Sequence, residues 1–136
     1  MINIVNKKEF FELIRKYESI TINQLEDMRK KLEDKGQPCN FGMDDILCEI
    51  TGFGTMSSCT LCKVARFEKE SYVNCKACIY SLIQHKEGQC PCCRNQLEES
   101  YCAIESSHTI YNLHDSIQLR IKDLKQFIKD FNLTED

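Results

Sequence analysis

Two cysteine pairs constrain this chain more than anything else in it. Cys59-Thr-Leu-Cys62 and Cys75-Lys-Ala-Cys78 are C-x2-C turns separated by twelve residues. One such turn offers two thiolates along one edge of a tetrahedron. Two turns complete the four-sulfur shell that Zn2+ prefers, with Zn–S bonds near ~2.3 Å. The intervening Lys63 to Asn74 contains Val64, Phe67, Tyr72 and Val73, enough for a short hairpin that brings the turns together. The pattern predicts a structural zinc held by Cys59, Cys62, Cys75 and Cys78. A shell closed by four sulfurs leaves no position for a reactive water, so the metal serves folding. In small zinc peptides that contribution is on the order of 10 kcal/mol at neutral pH.

The chain has ten cysteines, and the other six speak less clearly. Cys90 and Cys93 form a third C-x2-C pair, and a second zinc site could draw two further ligands from Cys39, Cys48, His85, Cys102 or His108. Single cysteines such as Cys48 and Cys102 also read as small buried hydrophobes. His108 and His114 read as surface or capping residues. Cys90-Pro-Cys92-Cys93 has the spacing of a redox dithiol, but such a motif works at the start of a helix in a βαβ unit, and no βαβ pattern is present. G-x-S-x-G, H-E-x-x-H and phosphate-cradling glycine loops are absent from the sequence. No catalytic residue is assigned, and a non-enzymatic role is expected.

A length of 136 residues fits one domain, and 42% hydrophobic residues argue against wholesale disorder. Trp is absent, with two Pro and five Gly, which favours helices over a turn-rich all-β fold. No apolar run is long enough to cross a membrane. The opening MINIVNKKEFFEL lacks the basic-then-apolar pattern of a secretory signal. A cytoplasmic location is therefore expected, where reduced thiols turn toward metal instead of disulfides. The net charge of −3 is uneven: −2 over 1–58, +3 over 59–94 and −4 over 95–136. One zinc bound by four thiolates would leave the central island near ~+1, which disfavours binding to a phosphate backbone.

The fold class expected is mainly α, a helical domain with an inserted structural zinc module. The N-terminal helices fall in 1–58, the zinc module in 59–94 and a C-terminal amphipathic helix in 95–136. Asn6 and Glu9 have capping-box spacing, and Phe10, Phe11, Ile14 and Tyr17 follow at helical steps, so a helix is predicted over about 7–17. Thr21 or Asn23 can cap a second helix carrying Ile22, Leu25, Met28 and Leu32, with Gly36 as its stop. Met43 to Ile50 suits a short third helix, and 52–58 reads as a flexible approach to the cysteines. Ile110, Leu113, Ile117, Leu124, Phe127 or Ile128, and Phe131 mark a long helix over roughly 108–131. Residues 106–109 mark its start or a break after an earlier helix from Leu97 to Ile104. Its stripe can be buried against Phe10, Ile14, Leu25 and Leu32 in a monomer, or form a homodimeric seam.

Two resemblances add to this reading. Over 59–94, Cys59-Thr-Leu61-Cys62, Cys78-Ile79-Tyr-Ser-Leu82-Ile83 and Cys90-Pro-Cys-Cys93-Arg94 resemble a degenerate RING finger. The resemblance implies a ubiquitin ligase that recruits a conjugating enzyme through Leu61 and Leu82, with Arg94 steadying the ubiquitin-loaded enzyme. It departs just before Cys75, where Glu70-Ser-Tyr72 stands in place of a third and fourth ligand. That lobe would be metal-free, as in U-box domains. More of the chain is similar to small zinc-binding proteins of bacteriophages and mobile elements: the flanking helices, Thr51-Gly-Phe-Gly54, the two cysteine pairs, and Gly88 with Cys90. This second resemblance implies a protein-interaction module, a modulator or accessory protein in the host cytoplasm, with a protein partner. A nucleic-acid-binding zinc module is the remaining alternative.

Overall fold

A computed structural model describes residues 4–34, 42–52, 79–82 and 98–135. Both C-x2-C pairs, the hairpin, Cys39, Cys90, Cys92, Cys93, His85, Leu61, Arg94 and the Gly36 stop lie outside the described residues. Among the described residues the chain forms five α-helices, a 3-10 turn and no strand. The helices are α1 (Lys7–Glu18), α2 (Ile22–Asp34), α3 (Met43–Thr51), α4 (Glu98–Glu105) and α5 (Ile110–Asp130), and the turn is Ile79–Leu82. The mainly helical expectation holds.

Each helix carries its own start or stop signal. Between α1 and α2 only Ser19, Ile20 and Thr21 intervene. Thr21 opens α2 with a reciprocal cap: its Oγ1 accepts from the Gln24 amide (3.2 Å), while its own amide donates to Gln24 Oε1 (2.9 Å). At the start of α3 the Gly42 amide donates to Asp45 Oδ2 (2.7 Å). Gly52 is not part of a loose approach but the C-terminal cap of α3. It sits at φ +73°, where L side chains are strained, and its amide reaches Cys48 O (2.9 Å). Helix α4 ends before Ser106 and α5 begins after Thr109, whose Oγ1 accepts from the Asn112 amide (3.0 Å). Residues 106–109 are thus both a break and a start.

Helix α5 is the spine. It packs against α1, α2 and α4, while α3 fits against the same three helices. Its buried face is Ile110, Leu113, Ile117, Arg120, Ile121, Leu124 and Phe127. Phe10, Leu13, Ile14 and Tyr17 of α1 and Leu25 and Leu32 of α2 meet it in one core with Ile46, Leu47 and Ile104. Phe10 meets Phe127 edge to face at 5.6 Å between ring centroids. The stripe is therefore covered within the chain. Phe131 is its exception. It is 44% exposed, because the helix has ended and the chain has turned.

That turn is a Schellman motif built on Asn132, in the left-handed region at φ +52°. The Leu133 amide reaches Ile128 O (2.9 Å) and the Asn132 amide reaches Lys129 O (3.2 Å). Leu133 folds back onto the core, and Glu135 meets Arg15 of α1 through two hydrogen bonds (2.7 and 3.0 Å).

Candidate functional site

Of the cysteine segment, the described residues are Ile79–Leu82, directly after Cys78. They are anchored to the helices at two levels. Ile79 is fully buried and belongs to the helical core. Its backbone amide, in the peptide unit that joins it to Cys78, donates to Asn6 Oδ1 at 2.8 Å. Asn6 is itself fully buried, just ahead of α1.

This corrects the expected capping box of Asn6 and Glu9. The Asn6 side chain makes no cap hydrogen bond to α1. Its carbonyl oxygen is committed 73 residues away instead. A buried amide donor costs about 1–3 kcal/mol if left unsatisfied, whereas the first-turn amides of a helix can reach water. The long-range bond therefore wins. On the same turn Leu82 is 37% exposed.

A second polar constellation lies where α3, α4 and α5 meet. Arg120 falls in the register of the α5 stripe and is buried. Its Nη1 donates to Ser100 Oγ (3.0 Å), also buried, and its guanidinium lies 5.7 Å from the Tyr101 ring centroid. Burial pushes the Tyr101 hydroxyl up; Cys48, Asp44 and Glu105 push it further and Arg120 opposes them. Burial, with Asp44 adding to it, also raises the Glu105 carboxyl. Burial and the neighbouring Asp45 raise that of Asp44. The arrangement holds a phenol protonated and places carboxyls where charge is disfavoured.

Cys48 is half-buried on α3 and Cys102 is exposed on α4, so Cys102 is not the small buried hydrophobe expected of it. Cys102 is a free thiol. His108 is exposed and His114 half-buried. Among the described residues no three Cys, His, Asp or Glu side chains converge as a metal site.

Sequence reasoning missed Asn6 as an anchor and Ser100–Arg120 as a buried pair. Arg120 did carry a signal: it stands three residues after Ile117 and four before Leu124, inside an apolar stripe. The chain matches no protein-family model, no curated protein and no solved structure.

Proposed function

We propose that this protein is a zinc-stabilised, non-enzymatic protein-interaction module. In this reading Cys59, Cys62, Cys75 and Cys78 hold one structural zinc, and the helices form the scaffold that carries the cysteine segment. The observation that supports it is the anchorage of Ile79. A cysteine segment with its own metal and no fixed attachment would be a tethered finger. Here the residue after Cys78 is buried in the helical core and held by Asn6, which suits a segment presented to a partner in one orientation. The fit of the four thiols rests on their chemistry and spacing: paired turns are the donor set of a closed zinc site. The metal would supply folding energy and no reaction. The resemblance to small phage and mobile-element zinc proteins suits a modulator or accessory protein acting on a host protein.

Elemental analysis of purified protein tests the metal directly. At least one zinc per chain is expected, and Cys62→Ser should lose it. A folded, zinc-free preparation would sink the reading.

A second reading is favoured by the exposure of Leu82. In a RING-like module this position would contact a conjugating enzyme, together with Leu61 and near Arg94. Ubiquitin discharge assayed with a panel of conjugating enzymes separates the two. No stimulation is expected from an interaction module, whereas robust transfer weakened by Arg94→Ala would favour the ligase.

A further inference from the structure

We propose that residues 132–135 form a charge-gated strap across α1, which opens on the Asn132 turn and frees Leu133 from the core while the helices stay packed. The strap lies on the helical scaffold, goes beyond the interaction-module reading and needs no metal.

The segment is held at its two ends by different forces. At its start the Leu133 amide is bonded to Ile128 O and the Leu133 side chain, like that of Ile128, is partly buried against the core. At its far end Glu135 is held by the two hydrogen bonds from Arg15, with side chains 43% and 54% exposed. Lys8, two turns earlier on α1, adds its positive charge to the same carboxylate. Among the described residues no backbone hydrogen bond holds Thr134 or Glu135. The outer half of the strap is thus closed by side-chain charge.

Such a closure is easily reversed. An exposed ion pair is worth little and is screened by salt, even with the two-pronged geometry that favours it here. Glu12, one turn before Arg15, also attracts the guanidinium and gives it a second partner when Glu135 leaves. Asn132 already occupies the left-handed region, which Asn tolerates better than most residues, so the turn can act as a hinge. A separate pair, Lys125 to Glu18 (2.8 Å), ties α5 to α1 away from the strap. It keeps the two helices together when the strap opens. Opening then adds the surface under Leu133 to the exposed Phe131, so the strap sets how much apolar surface this end of α5 presents.

Amide exchange measured by NMR on the full chain tests the strap at the Leu133 amide. The Gly52 amide, bonded to Cys48 O at the end of α3, is the control. Raising salt to about 1 M, where the Debye length is roughly 3 Å, should speed exchange at Leu133 by about three- to fivefold and leave Gly52 unchanged. Glu135→Lys should give the faster Leu133 exchange at low salt, and added salt should then speed it no further. Lys125→Ala should leave Leu133 exchange as in the wild type. If neither salt nor Glu135→Lys moves the Leu133 amide, core packing alone holds it and the strap is overturned. If Lys125→Ala speeds it as much as Glu135→Lys does, α1 and α5 loosen as a unit and the strap is equally overturned.

Discussion

Glu105 and Glu135 are both glutamates near a helix end, yet the fold treats them oppositely. Burial and Asp44 raise the Glu105 carboxyl, while the hydrogen bond from Arg15 lowers that of Glu135. A raised carboxyl binds its proton more tightly in the folded state than in the unfolded one. Its contribution to stability therefore falls as pH rises past the ordinary value of 4.5 and through the raised one. Glu105→Gln should melt higher than the wild type at neutral pH, and the gap should close as the pH drops below that ordinary value. A gap that persists in acid would mean that Gln acts by packing or helix propensity instead. Glu135 has the opposite sign. Its pairing with Arg15 is present at neutral pH and is lost as pH falls through its lowered value. Ser100→Ala removes an acceptor from the buried Arg120 and should cost about 1.5–3 kcal/mol in denaturant unfolding, the range for hydrogen bonds to charged groups. A cost near zero would show that other partners of Arg120 carry it.

Helices were the legible part of this sequence because their signals are local. Thr21 stands directly before the stripe of α2 as a candidate cap, and the α5 stripe recurs at three- and four-residue steps, whereas Gly52 read as part of a loose approach. Reading Asn6 failed for the same reason: a local cap was visible, and the competing partner lay at Ile79. Cys102 failed because an eight-residue helix has room to turn any one side chain outward. The α5 stripe permits a direct test of the element. Leu124 is fully buried, and Leu124→Ala should cost about 2–5 kcal/mol, lowering the melting temperature even with zinc bound. Exposed Lys122→Ala should change little. If Leu124→Ala instead leaves stability untouched and abolishes self-association in sedimentation, the stripe is an intermolecular seam.

At the scale of the whole molecule, the zinc reading predicts that the metal and the helical core share one stability. Chelation should lower the melting temperature of the entire domain in one transition, with α-helical circular dichroism lost together with zinc. A helical transition indifferent to chelator would mean that the two parts fold independently. The contact between α1 and the chain after α5 carries a further consequence. Arg15 and Glu135 are 120 residues apart in sequence, and Phe10 meets Phe127 across a similar span. Closing so long a loop is entropically costly, although each doubling of its length adds only about 0.6 kcal/mol. A nascent chain leaves the ribosome N-terminus first, so α1 to α3 emerge with their apolar faces uncovered and wait for α5. The cysteine segment emerges in between. If it captures zinc at once, it compacts the stretch between the two ends and shortens the effective loop. Metal supply during synthesis would then govern how long those helices stay open to proteases and chaperones.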